Sequence, residues 1–146
     1  MATWGELEAA QPEFARRVRK LMTTRKHLTM ATLRRDGSPR ISGTEVQFDG
    51  ADLRIGSMPA ALKALDLRRD QRVAIHGPTH DPAKSGRWRG EAKIAGRAVE
   101  LPSNDDSHAF RIDIDEVVIT HLNATRDRLV IESWNPARGY RKDERA

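Results

Sequence analysis

Cysteine is absent from the 146 residues. No disulfide, thiolate metal site, iron–sulfur cluster or cysteine nucleophile can therefore operate here, and such a chain suits a reducing compartment. Aromatics are scarce: three tryptophans, three phenylalanines and one tyrosine. A nucleic-acid-binding surface concentrates positive charge and interleaves stacking aromatics. Here Lys and Arg are spread along the chain, and the small clusters at Arg16–Lys20, Arg68–Arg72 and Arg138–Arg145 lack that interleaving. No apolar run approaches the about 20 residues that span a bilayer, and Glu6 and Glu8 fall where the apolar part of a secretory signal would lie. G-x-S-x-G, Gly-rich dinucleotide and Walker loops are missing as well. His76, His80 and Asp81 could in principle approach a metal, but Gly77-Pro78 puts them on a loop with no evident third ligand. The expectation is a cytoplasmic protein with no metal, nucleic-acid or membrane partner.

What is present is a mild positive balance, 26 Lys plus Arg against 21 Asp plus Glu, or +5. Excess positive charge favours anionic partners, a phosphate-bearing ligand among them. The length favours one domain over 1–146 with a core of its own. Residues 1–26 read as a helical segment. Thr3 and Glu6 fit a capping box before a short helix. Pro12 suits the first turn of a second, and Phe14, Val18, Leu21 and Met22 mark one helix face laid on a sheet.

From His27 the period changes. Leu28–Leu33 reads as a strand, Asp36-Gly37 as a hairpin turn, and Pro39–Phe48 as the returning strand. Asp49-Gly50 turns into a strand at Leu53–Gly56. Pro59 opens a short helix over Ala60–Leu67 with Leu62 and Leu65 inward. Further strands are expected at Arg72–His76, Glu91–Leu101, from Phe110 onward and at Arg128–Trp134, with a loop at Gly77–Trp88 and a polar loop at Leu101–His108. The alternation slips at Glu116–Ile119, the mark of a bulge or of a face buried twice. Residues 136–146 read as a mobile basic tail. The fold class is mainly β, with six or seven largely antiparallel strands.

Two places could carry chemistry. Gly43 breaks the second strand between Ser42 and Thr44; a strand glycine marks either a bend or a close approach by a ligand. Gly56-Ser57-Met58-Pro59-Ala60-Ala61-Leu62-Lys63 joins a strand end to a helix start, where unpaired N–H groups favour anions. Lys63 is then either a solvated lysine or an anion anchor. No acid, base or nucleophile stands out, so the catalytic residues stay unknown.

Leu28–Arg40 (LTMATLRRDGSPR) resembles the opening hairpin of the pyridoxamine 5'-phosphate oxidase-like, or flavin/deazaflavin oxidoreductase, superfamily, in its actinobacterial type. The likeness continues through Leu53–Ser57, through Lys63–Asp70 (KALDLRRD) and through Glu91–Leu101 with its Gly96-Arg97-Ala98. It spans about residues 25–135. It implies a six-stranded antiparallel split β-barrel that forms a homodimer, with FMN or deazaflavin F-420 at each end of the interface. Lys63 would contact the cofactor phosphate. Arg40, Ile41, Ser42, Gly43 and Thr44 would run beside the ring, and Ser57 and Met58 would line the same pocket. Trp88 and Trp134 would either reach in from the opposite subunit or serve interface packing. The chain departs from the family in having Ala61-Leu62 where an arginine often precedes the lysine, which removes a bidentate phosphate contact, and in having Asp66 where the family has asparagine. The implied activity is hydride transfer to a small molecule; the alternative is a non-catalytic cofactor or haem-binding barrel.

Overall fold

The computed structural model describes residues 1–103 and 105–146. Of the polar loop expected at 101–108, residue 104 lies outside the described residues. Among those described, helices α1 (Trp4–Ala10), α2 (Pro12–Met22) and α3 (Leu62–Arg69) accompany nine strands. These are β1 (Leu28–Leu33), β2 (Pro39–Thr44), β3 (Val46–Asp49), β4 (Asp52–Ser57), β5 (Arg72–His76), β6 (Glu91–Leu101), β7 (His108–Leu122), β8 (Leu129–Asn135) and β9 (Gly139–Arg145).

Every named strand pairing is antiparallel. The strands follow the order β2-β1-β5-β6-β7-β4-β3, with β8 and β9 added beside β7. The ends of that path, β2 and β3, are consecutive in the chain and meet at Glu45, so the sheet closes into a barrel through one corner. The expected single strand over Pro39–Phe48 is thus two strands with different neighbours: β2 pairs with β1, and β3 with β4. On β2 the even positions Arg40, Ser42 and Thr44 are the less exposed ones, and the same phase carries through Glu45 to Val46 and Phe48 on β3.

β7 is the spine. Its first residues pair with β4, its last with β8, and β6 follows it along nearly its whole length. Between the two regimes Asp115 is extra: Ala95 faces Glu116 while Gly96 faces Ile114. Of the two readings of the slip at Glu116–Ile119 this is the bulge, placed just before it, and it explains Gly96, where a Cβ would lie 2.0 Å from the Asp113 carbonyl oxygen.

The helices complete the core. Thr3 caps α1 by accepting from the Glu6 N–H at 3.1 Å, and Pro12 opens α2. Trp4, Leu7, Val18 and Met22 are fully buried against the sheet with Ile94, Phe110, Ile112 and Ile114. Two expectations fail here. The inward face of α3 carries Ala64, Asp66 and Leu67, whereas Leu62 and Leu65 are 59% and 41% exposed. The basic tail is a strand, because β9 satisfies the outer edge of β8 with a ladder from Leu129–Arg145 to Asn135–Gly139. The strand count therefore exceeds six or seven, while the mainly β, antiparallel class holds.

Candidate functional site

β2, β4 and the turn into α3 enclose a cradle of about 480 Å³. Gly43, Thr44, Ser57, Met58 and Lys63 all line it. Lys63 Nζ donates to the Gly43 carbonyl oxygen at 2.7 Å, bridging α3 and β2. An ammonium has three donors, so two stay available there. Among the described residues, Ser57 Oγ is buried and has no hydrogen-bond partner. Gly43 has ordinary strand geometry, and a Cβ built on it would meet nothing nearer than the Leu28 carbonyl oxygen at 4.0 Å. The barrel bends at Glu45, so neither backbone conformation nor packing demands glycine at 43. Its missing side chain leaves open space on the cradle side.

The remaining candidates lie elsewhere. Arg40 turns away: its Nε donates to Asp66 Oδ2 at 2.7 Å. Asp66 is buried and also accepts from Thr32 at 2.7 Å and from Arg69 at 3.1 Å. Burial alone would raise this carboxyl, but the bonds from Arg40, Thr32 and Arg69 outweigh it and hold the group below the usual range. Ile41 is 75% exposed on the outer face of β2, and Ser42 points inward opposite Met30. Trp134 is buried among the core residues of its own protomer, so it has almost no surface to offer a partner. Trp88 is half-buried in a different concavity, with its indole N–H donating to the His80 carbonyl oxygen at 2.9 Å. Arg68, which follows Lys63 on α3, is taken up by Glu100.

Other residues join the cradle without any sequence motif to mark them: His27, Gln47 and Ser107 line it, as does Glu45, whose carboxylate lies 3.7 Å from Lys26 Nζ. His108 shapes the turn that carries Ser57 and Met58. Its Nε2 accepts the Ala60 N–H at 3.2 Å, while Nδ1 lies 3.4 Å from Glu100. Ala60 sits at φ +58°, a conformation that favours glycine, and the His108 bond helps to hold it. The available signal was weak: His108 begins a strand directly opposite Ser57, a pairing that only topology reveals.

A second polar centre lies under β8. Glu132 is buried and receives Arg17 through both carboxylate oxygens, His121 Nε2 at 2.7 Å, and the Tyr140 hydroxyl. The Arg17 guanidinium, helped by Tyr140 and His121, holds the Glu132 carboxyl down to about 2 despite burial. Burial and the adjoining carboxylate push Tyr140 up to about 12. One clue existed in the sequence: Glu132 occupies the apolar phase of Val130-x-Glu132-x-Trp134.

No protein-family profile and no curated protein matches the sequence. Solved structures share its fold. A pyridoxamine 5'-phosphate oxidase-related, FMN-binding protein from Nostoc punctiforme superposes with a TM-score of 0.65 at 11% identity, over 93% of this chain and 96% of that one. PhzG from Burkholderia lata, solved with tetrahydrophenazine-1-carboxylic acid, gives 0.62 at 12% identity over 96% and 89%. General Stress Protein 26 from Bacillus anthracis gives 0.55 at 12% over 71% and 91%. The chain has the split-barrel fold of the pyridoxamine 5'-phosphate oxidase-like proteins.

Proposed function

We propose that this protein binds a flavin-class cofactor, FMN or deazaflavin F-420, in the Lys63 cradle and serves as an oxidoreductase acting on a small molecule. The observation that carries the reading is the buried, unpartnered Ser57 hydroxyl in a cradle that Lys63 also lines. A buried polar atom without a partner costs about 1–3 kcal/mol, and a ligand oxygen in the cradle would relieve that cost once the Ser57 side chain rotated toward it. Lys63 supplies the charge, the open space over Gly43 permits close approach, and Thr44 contributes a hydroxyl on the adjoining strand. These residues fit the phosphate end of such a cofactor. With Arg40 held by Asp66 and no arginine before Lys63, the anion depends on a single cation. When bound, the cofactor ring supplies the hydride chemistry; the protein binds, orients and shields it. The fold shared with an FMN-binding protein from Nostoc punctiforme supports the same cofactor class.

The decisive variant is Lys63→Ala. Lys63 is partly exposed and contributes little to the core, so the melting temperature should hold. Loss of a charge-assisted contact worth ~1.5–3 kcal/mol should weaken cofactor binding about ten- to a hundredfold. Titration with FMN and with F-420 at fixed salt measures this. Unchanged affinity for both would remove the proposal, and a loss confined to one would identify the cofactor.

A second copy of the chain completes the reading. Ile41, Met58 and Leu62 are 75%, 78% and 59% exposed, and all lie on the elements that frame the cradle. Large aliphatic side chains left in water on these three elements are the surface we expect a protein partner to cover. They replace the tryptophans as the reason to expect a homodimer, since Trp134 is interior. Sedimentation at micromolar concentration should give about twice the 16.4 kDa chain mass; a monomer mass would contradict it.

A further inference from the structure

The second half of α2, the segment before β6 and the end of β7 bound a separate concavity of about 430 Å³, within the ~300–1,000 Å³ typical of small-molecule sites. It shares no lining residue with the Lys63 cradle. Its lining combines two chemistries. Leu21, Ile119, Leu122 and the Trp88 ring supply the apolar part. The hydrogen bond from the indole to His80 fixes that ring without help from any occupant.

The other part is positive. Arg16, Arg17, Lys20 and Arg89 line it, and no carboxylate is among the lining residues. Arg17 is neutralised from below by Glu132, and Arg16 pairs with the exposed Glu13. Lys20 and Arg89 have no ion-pair partner among the described residues. Glu132 cannot serve them, because Arg17, His121 and Tyr140 already occupy it. His80, which bonds Thr24 of the lining at 2.8 Å, is held below its ordinary range by burial and by Arg25 and Arg89, a further sign of local positive charge.

We propose that this concavity is a binding site for a small planar aromatic carboxylate, its ring against Trp88 and its carboxylate toward Lys20 and Arg89. An inorganic anion would leave the indole and the aliphatic wall uncovered. A neutral aromatic would leave two cations without a counter-charge. Only an occupant with both features answers both parts of the lining, through stacking and charge-assisted hydrogen bonds. The inference does not depend on the cofactor reading.

The test is isothermal titration of the full chain with 2-naphthoate, its neutral amide 2-naphthamide, and inorganic phosphate. Naphthoate should bind saturably, and the amide and phosphate at least about tenfold more weakly. Arg89→Gln, at an exposed position, should weaken naphthoate about tenfold, Trp88→Phe should stay within a few-fold of wild type, and Trp88→Ala should lose a further several-fold. Lys63→Ala should bind naphthoate normally. If Trp88→Ala fails to fold, Arg89→Gln and the ligand series still decide. The proposal is overturned by any of three results: no naphthoate binding to wild type below ~1 mM, equal binding of the amide or of phosphate, or loss of binding in Lys63→Ala with Arg89→Gln unaffected.

Discussion

Asp66 and Glu132 are both buried carboxylates that hold a helix to the barrel, yet they join different kinds of neighbour. Asp66 binds Thr32, Arg40 and Arg69, which fall within one stretch of β1, β2 and α3. Glu132 binds His121 and Tyr140 nearby, and Arg17 across a sequence separation of 115 residues. The first acid ties α3 to β1 and β2 beside the cradle and, by holding Arg40, leaves Lys63 as the cation that lines it. The second fastens the N-terminal helix to the last two strands. A buried charge can thus shape a site locally or tie the ends of a chain together, and the span of its partners decides which.

The contrast is open to measurement. Glu132→Ala should have the largest effect, because it leaves Arg17 uncompensated and removes the side-chain link that joins α2 to β8 and β9. Breaking a buried pair costs ~3–5 kcal/mol, and Arg17 is 35% exposed, so a loss of about 3 kcal/mol in chemical denaturation is expected. A loss below about 1 kcal/mol would show that the ends are held by apolar packing alone.

Acid should expose the same carboxylate. Glu132 titrates at an ordinary 4.5 in the unfolded chain and at about 2 in the folded protein. As pH falls the unfolded state takes up the proton first. The contribution of Glu132 is therefore complete above pH 4.5, declines between 4.5 and 2, and is gone below that. Melting temperature against pH should fall less steeply over this window in Glu132→Gln than in wild type; parallel curves would assign the acid limb to other groups. Asp66→Asn should be milder, because the amide oxygen can still accept from one arginine and Thr32. A loss of about 1.5 kcal/mol is expected, with the Arg17–Glu132 end undisturbed. A cost equal to that of Glu132→Ala would erase the distinction between a local and a chain-spanning acid.

Much of this fold was legible in the residues. Leu28–Leu33, Arg72–His76 and Glu91–Leu101 alternate cleanly and become β1, β5 and β6 with the expected bounds, and Asp36-Gly37 turns the first hairpin with Gly37 at φ +87°. The misreadings share a cause. Leu62 and Leu65 drew the inward face of α3 because apolarity was the only guide, yet the buried side holds Asp66, whose charge is met by two arginines. GYRKDE at 139–144 has no apolar alternation, and becomes a strand because the β8 edge offers backbone partners. The tryptophans show the same limit: burial of Trp134 follows from its phase on β8, which sets it on the face of Val130 and Glu132.

For the site, Gly43, Thr44, Ser57, Met58 and Lys63 were open to recognition as two segments, while His27, Ser107 and His108 were not. By itself the sequence determined most of the antiparallel strands, the first hairpin turn, the starts of α1 and α2 and the slip in β7, because those follow from side-chain period and backbone preference within a few residues. Tertiary structure alone decided that the second strand divides at Glu45, that Arg40 serves Asp66, and that Arg17 and Glu132 meet across the chain. Charge compensation and edge pairing join groups far apart in sequence, and no local pattern records which partner each will find.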